Sequence, residues 1–359
     1  MTNVLVGMSG GVDSTVCAIL LKEKGYNVKG ATMAIWGNRQ IKGMAIQKGH
    51  KDSCFKPNEK EDIDAARQIA ENINIPYYVL DCADDYEEIV LKHFKNEYLD
   101  GRTPNPCVWC NALIKFGALP QMAKKQGIEF DKFATGHYAR IGYENDRYYL
   151  KQGVDKTKDQ SYFLYRLTQE QLKNIILPLG EYSKTQIRDI ARKNGLEVAD
   201  KHDSQDFYSG DYNELLDVSP KIGYIKNTEG KILGEHQGIW NYTIGQRKGL
   251  GVSAAEPLYV LSLNKEDNSV IVGPRDKTFK KQLVATKLNF VSKDQIPKNV
   301  QLSAKFRSTQ IPQPAQVTVE DDKMTVIFDE YQKSIAPGQS VVIYQDDMVI
   351  AGGIIENAQ

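Results

Sequence analysis

The segment Ser9-Gly10-Gly11-Val12-Asp13-Ser14 constrains this chain more than any other. Before it runs Asn3-Val4-Leu5-Val6-Gly7-Met8, a short apolar stretch that suits a buried parallel strand. After it come Thr15 to Lys24, rich in good helix formers, with Gly25 placed to end the helix. Strand, glycine-rich turn and helix, in that order, point backbone N–H groups and the positive helix end at a bound anion. Gly10 and Gly11 let the backbone come close to that anion. Ser9 and Ser14 add hydroxyl donors, and Asp13 is placed to hold a metal ion bridging phosphates. No Lys-Ser/Thr follows the glycines and the spacing is not Gly-x-Gly-x-x-Gly, so neither familiar nucleotide loop is present. A tight turn opening a helix uses the same residue types without a ligand.

A chain of 359 residues has room for two or three domains with proper cores. Its 46 basic and 46 acidic residues cancel, so a nucleic-acid surface must be a local basic patch. No apolar stretch approaches the roughly 20 residues of a membrane span. Met1-Thr2-Asn3 leads straight into the first strand, which predicts no signal peptide and no membrane. The cysteines are Cys17, Cys54, Cys82, Cys107 and Cys110. An odd number, one of them inside the first helix, suits a reducing cytoplasm better than a disulfide framework.

Tyr26 to Met33 reads as a second strand, with Met33 at its C-terminal end, either beside an adenine pocket or simply in the core. Trp36 to Asn58 is a polar loop carrying Cys54, Glu61 to Asn72 is helical, Pro76 to Asp81 is a strand and Tyr86 to Tyr98 a helix. In Gly101-Arg102-Thr103-Pro104-Asn105-Pro106-Cys107-Val108-Trp109-Cys110-Asn111 the prolines stiffen a loop that delivers Cys107 and Cys110. A helix is expected from Ala112 to Gln126, and a cysteine just ahead of a helix start should have a lowered pKa. Cys-x-x-Cys is otherwise half a zinc site or a redox pair; no second pair exists, so sulfur chemistry ranks above zinc. Asp131 to Ala139 reads as a strand ending in Gly136 and His137, where the glycine allows close ligand approach and the histidine is either structural or functional. Thr185 to Asn194 is a further helix. Near Asp203 the alternating β/α texture gives way to glycine-rich turns and short strands. From about Lys277 the chain is all β, with strands spaced as in a small barrel. The reading is α/β: a doubly wound parallel sheet (1–203), a small central β-rich domain (204–276) and a C-terminal β-barrel (277–359).

The loop Gly7 to Ser14 resembles the pyrophosphate loop of N-type ATP pyrophosphatases, enzymes that split ATP between its α and β phosphates. Three more stretches narrow the resemblance: Gly101 to Asn111, Lys158-Asp159-Gln160-Ser161-Tyr162-Phe163-Leu164, and Tyr242-Thr243-Ile244-Gly245-Gln246-Arg247-Lys248-Gly249. With Ala336-Pro337-Gly338-Gln339-Ser340 they are similar, in order and over nearly the whole chain, to the tRNA-specific 2-thiouridylases (MnmA/TrmU). That resemblance implies an adenine nucleotide α-hydrolase-like PP-loop domain and an ATP-dependent tRNA-uridine 2-sulfurtransferase. ATP with Mg²⁺ would adenylate O2 of uridine 34, the wobble base, in tRNAs for Lys, Glu and Gln. Sulfur from a donor protein or persulfide relay would then replace the oxygen, with release of AMP and pyrophosphate. By the same resemblance Gly7, Met8, Ser9, Gly10, Gly11, Val12, Asp13 and Ser14 bind the phosphates, and Met33 and Gly136 line the ATP site. Asn105, Pro106 and Cys107 hold the target base, while His137, Lys158, Asp159, Gln160, Arg307, Ser308 and Gln339 contact tRNA. Cys110, Cys107 and Asp13 are the catalytic candidates.

One departure bears on the chemistry. The family's second catalytic cysteine aligns with Tyr208, in Asp203-Ser204-Gln205-Asp206-Phe207-Tyr208, and a phenol cannot carry a persulfide. The nearest replacement partner for Cys110 is Cys107, exchanging sulfur with it as ordinary thiols do. Alternatives left open are an iron–sulfur cluster on Cys107 and Cys110 with Cys54 or Cys82 as third ligand, and a tRNA-binding paralogue whose relay is lost. Ser308 also stands where the family commonly has Tyr after Arg, which removes a stacking platform.

Overall fold

Val4, Leu5 and Val6 are wholly buried because their strand, β1 (Asn3–Gly7), lies inside a parallel sheet. The computed structural model describes residues 1–37, 53–196, 207–208 and 210–359. The other sheet strands are β2 (Asn27–Ala34), β3 (Tyr77–Asp81) and β4 (Lys132–Ala134). Between β4 and the last strand comes a hairpin of β5 (Ala139–Glu144) and β6 (Arg147–Gln152), then β7 (Ile175–Ile176). The parallel order is β3-β2-β1-β4-β7. The chain winds one way from β1 to β3 and the other way through β4 and β7, so the topological switch lies between β1 and β4. Ligands of such sheets bind outside the C-terminal strand ends at that point.

Helix α1 (Val12–Glu23) begins earlier than its propensities suggest, with extended Gly11 as N-cap, which puts Asp13 and Ser14 in its first turn. Gly25 ends it at φ +82°, a left-handed conformation that costs only glycine nothing. Helix α2 (Glu59–Asn72) follows the apolar spacing of Ala66, Ile69 and Ala70. The helix Lys184–Lys193 starts on a reciprocal capping box between Ser183 and Gln186.

Two expectations are corrected. The cysteine helix does not wait until Ala112. Pro106 takes the first helical position, where its missing N–H is not needed, so Cys107 and Cys110 lie on the helix itself. The helix widens to a π-helix over Cys110–Ala118 and continues as Leu119–Lys125. Gln171 supports the widening: its side-chain amide donates to the carbonyls of Ala112 (2.7 Å) and Phe116 (2.9 Å). The same residue completes a capping box with Thr168. The expected strand Asp131 to Ala139 is also split. β4 stops at Ala134, and Gly136 and His137 lie on the turn before β5. The expected domain boundary at 203/204, the stretch Asp203 to Asp206 and most of the loop Trp36 to Asn58 lie outside the described residues.

Met1–Val90, Cys107–Glu214 and Asp347–Val349 form one compact unit, and Leu91–Pro106, Leu215–Asp346 and Ile350–Gln359 form another. In the second unit β8 (Gly223–Lys226), β9 (Ile232–His236), β10 (Tyr259–Asn264) and β11 (Ser269–Gly273) make a four-stranded sheet over Ile225, Val260, Val270 and Val272. Then β12 (Phe279–Phe290), β13 (Leu302–Lys305), β14 (Gln313–Glu320), β15 (Lys323–Lys333), β16 (Ser340–Gln345) and β17 (Met348–Ala358) follow. Pairing of β12 with both β15 and β17 closes them into the barrel the sequence predicts. Among the described residues no helix is long and apolar enough to cross a membrane.

Gln171→Ala should remove both carbonyl caps of the widened helix and one half of a capping box. The expected cost is about 1–3 kcal/mol, read as a lower urea midpoint of the full-length protein.

Candidate active site

The loop that the sequence marks for phosphates lines a cavity of about 300 Å³ outside the ends of β1, β2 and β4. Its walls include Gly7, Met8, Ser9, Gly11, Val12, Asp13 and Ser14, together with Met33 and Gly136. The loop holds its own shape. Ser14 Oγ accepts from the Ser9 N–H at 3.2 Å and donates to the Gly11 carbonyl at 3.2 Å, and Thr15 Oγ1 donates to the same carbonyl at 2.8 Å. Gly10 is needed for conformation: it sits at φ +71°, and a Cβ there would stand 3.0 Å from the Asp62 carbonyl. Gly136 is needed for space. A Cβ would lie 2.7–2.9 Å from the Asp13 and Ser14 backbone, so the close approach expected toward a ligand is made to the phosphate loop itself.

Asp13 differs from expectation. Lys184 Nζ donates to both of its carboxylate oxygens, at 2.9 and 2.8 Å, and Tyr138 OH donates to Oδ1 at 2.7 Å. The Lys184 side chain is only 8% exposed. A carboxylate already spanned by an ammonium does not fit direct Mg²⁺ coordination in this arrangement. Among the described residues no three His, Cys, Asp or Glu side chains are grouped to hold a metal ion.

All five cysteines are free. Cys110 is 8% exposed, and burial pushes its thiol up to about 11 while the Lys115 ammonium pulls the other way and Cys54 adds to the rise. The sequence-based expectation of a lowered pKa is therefore overturned: desolvation at this helix position outweighs the favourable charge. Burial alone would depress Lys115, but the sulfurs of Cys110, Cys54 and Cys107 together lift it above its ordinary value. The π-helix explains the pairing, since an i to i+5 repeat sets Lys115 over Cys110. Cys107 is half-buried one turn earlier, and Cys54 is exposed and lines the cavity beside Lys115 and His137. Cys82 is buried and pushed up to about 12 by desolvation and by Asp85 and Asp81.

His137 bonds Thr135 Oγ1 through Nδ1 at 2.8 Å and lies against Phe116 on the cavity wall. Burial, with Lys115 adding to it, lowers its pKa to about 3. Gln160 also lines the cavity, its Oε1 accepting the Tyr138 N–H at 2.9 Å. Asp159 is buried and accepts from Gln152, the Gly153 N–H, and both the N–H and hydroxyl of Ser161. Its carboxylate is occupied holding this turn, whereas Lys158 beside it is half-buried.

In the second unit, Arg307 is exposed, donates to the Ser334 carbonyl at 2.7 Å, and borders a recess with Gly245, Gln246, Tyr331 and Lys333. Ser308 is half-buried next to it. Tyr331 is 63% exposed, with Lys281 Nζ 5.7 Å from its ring centre. Gln339 is a clamp: its amide donates to the carbonyls of Thr103 (3.1 Å) and Pro104 (3.0 Å), while the Thr103 N–H donates to the Pro337 carbonyl. Arg102 is fixed by Glu97 and Glu356. These contacts hold the strand of chain leading into Asn105, itself buried, and Pro106.

A family model described as tRNA methyl transferase HUP domain matches residues 2–208; a PRC-barrel domain model matches 215–274 and an aminomethyltransferase β-barrel domain model 280–355. A tRNA-specific 2-thiouridylase MnmA of Endomicrobium trichonymphae is 48% identical over 98% of both chains. The chain belongs to the tRNA-specific 2-thiouridylase family. Relatives of the same name from Acetivibrio thermocellus (44% identity, 98% of this chain and 99% of that one) and Clostridioides difficile (42%, 99% and 98%) agree. Sequence reasoning within that family missed Lys184, Tyr138, Lys115 and Tyr331. Their only advance signal was charge or aromaticity at isolated positions.

His137 should stay neutral at pH 5, where an ordinary imidazole is charged, as ¹⁵N-histidine NMR would show. The sign follows from its lowered pKa: as pH falls from 6.5 toward about 3 the unfolded chain takes the proton first, so stability is lost across that window.

Proposed function

We propose that this chain is an ATP-dependent tRNA-uridine 2-sulfurtransferase that replaces O2 of uridine 34 by sulfur in tRNAs for Lys, Glu and Gln. The observation that carries the reading is one cavity shared by a phosphate loop, the Lys115 ammonium and a thiol, Cys54. ATP's phosphates lie against the loop N–H groups and the α1 N-terminus. Mg²⁺ arrives on ATP rather than on resident carboxylates. Adenylation of O2 turns a poor leaving oxygen into a phosphate ester, and the loop donors receive the charge that develops on the departing pyrophosphate. Asp13 acts by fixing the loop through Lys184. Cys110 carries the sulfur that attacks C2, and Cys107, one helical turn before it, closes a disulfide on Cys110 as thionated base leaves. Asn105 and Pro106 present that helix to the target base.

The functional division is 1–203 for catalysis, with 204–276 and 277–359 serving tRNA. Arg307 neutralises a phosphate and Tyr331 offers the stacking face absent at Ser308. Lys158, Gln160 and His137 meet tRNA at the cavity rim; Asp159 and Gln339 act by shaping backbone. The sulfur comes from a donor protein as a persulfide. The five free cysteines accord with work in the cytoplasm.

In cells lacking the protein, mass spectrometry of tRNA should find no 2-thiouridine at position 34; undiminished 2-thiouridine would refute the assignment. With purified protein, Asp13→Asn should lower tRNA-dependent release of pyrophosphate by about 10²-fold or more. The amide keeps a partner for Tyr138 but leaves the buried Lys184 ammonium unpaired, so the urea midpoint of the variant is measured beside its activity, and lost pyrophosphate release counts only where the fold persists. A product of ADP in the wild type would overturn the loop assignment.

Arg307→Ala should weaken tRNA binding at every sequence and reduce the salt slope by about one phosphate, roughly 0.7–0.9 in log–log units. Titrations at several salt concentrations would measure both.

A further inference from the structure

We propose that Cys54 is the sulfur-entry thiol of this site, taking the outer sulfur of an incoming persulfide and handing it to Cys110. The inference rests on the thiolation reading and adds a residue that reading lacks. Cys110 is buried, which keeps a bulky donor away and its thiol protonated. Cys17 and Cys82 are more deeply buried still. Cys54 is the exposed cysteine, and it stands in the cavity wall with the phosphate loop.

Its position is fixed by the residue that follows. Phe55 is wholly buried, its N–H donates to the Phe207 carbonyl at 3.0 Å, and its ring stacks on Tyr86 (5.4 Å) and Phe207 (6.1 Å). Tyr208 belongs to the same cluster, its ring 6.3 Å from Phe55 and its hydroxyl bonded to Glu214. Position 208 and the neighbour of Cys54 thus share one aromatic core. Lys115, which the π-turn sets over Cys110, lines the same cavity as Cys54, so the two thiols lie on either side of one ammonium.

The transfer balances without an oxidant or reductant. The Cys110 sulfur attacks the outer sulfur of Cys54–S–SH; the bond from Cys54 Sγ to that sulfur breaks and one to Cys110 Sγ forms. Cys54 leaves as thiolate and takes up the proton lost by Cys110. Lys115 holds the charge in transit.

The test treats full-length protein with glutathione persulfide, without ATP or tRNA, quenches with iodoacetamide at intervals and maps persulfides by peptide mass spectrometry. Cys54 should load first and Cys110 after a lag. Cys54→Ser should slow loading of Cys110 by about tenfold or more, and Cys110→Ser should strand the persulfide on Cys54. Loading of Cys107 or Cys110 ahead of Cys54, or an unchanged Cys110 rate in Cys54→Ser, would overturn the proposal; the first of these needs no variant. Loading precedes adenylation, so wild-type protein that loads in the expected order but makes no 2-thiouridine with ATP and tRNA would sink the thiolation reading alone.

Discussion

Much of the catalytic unit depends on the ion pair between Lys184 and Asp13. It joins the first turn of α1 to the first turn of another helix, and Tyr138 OH closes the same carboxylate from the third side. Breaking a buried pair by removing one partner costs about 3–5 kcal/mol, because a desolvated charge is left alone. Asp13 keeps 26% of its side chain exposed, so the cost here lies toward the lower end. The arrangement has a functional consequence. A carboxylate in the first turn of α1 would repel an anion at that helix end if left free, and an ammonium across both oxygens cancels that repulsion.

The thiols are organised by the same competition between burial and charge. Desolvation raises Cys110 and would lower Lys115; placed together, each offsets part of the other's penalty. The resting site therefore holds a protonated, unreactive thiol beside a charged amine. Such a pair is protected from stray oxidation, since oxidants attack thiolate. Exposure thus divides the two thiols, with Cys54 open to the cavity and Cys110 buried behind it.

The fold was legible in the sequence because its signals are local. The strand–glycine turn–helix, the apolar spacing of α2 and the short β runs of the barrel each sit within about a dozen residues. The site was legible where motif residues do their work through the backbone, as at Gly10 and Gly136. It was not legible where a side chain reaches across the chain. Lys184 lies 171 positions from Asp13, and nothing nearby marks it as that carboxylate's partner. Lys115 escaped because helical reasoning assumes an α repeat, and only the π-widening sets it over Cys110. The cysteine pKa was read with the wrong sign because a helix N-terminus is visible in sequence and burial is not.

Gln339 and Asp159 carry that argument one step further. Both stand in family motifs and both resemble tRNA contacts, yet their polar atoms are engaged with backbone or neighbouring side chains. A motif position is held by whatever the site cannot do without, and that includes the geometry of the chain that presents it. Thr103, half-buried, and Pro104, buried, belong to a segment whose Pro residues at 104 and 106 offer no N–H donors of their own. The Gln339 amide supplies a donor to both of their carbonyls. The Pro-Asn-Pro segment can therefore be stiff and still satisfied, and that combination lets it start a helix at Pro106 with both cysteines in fixed register.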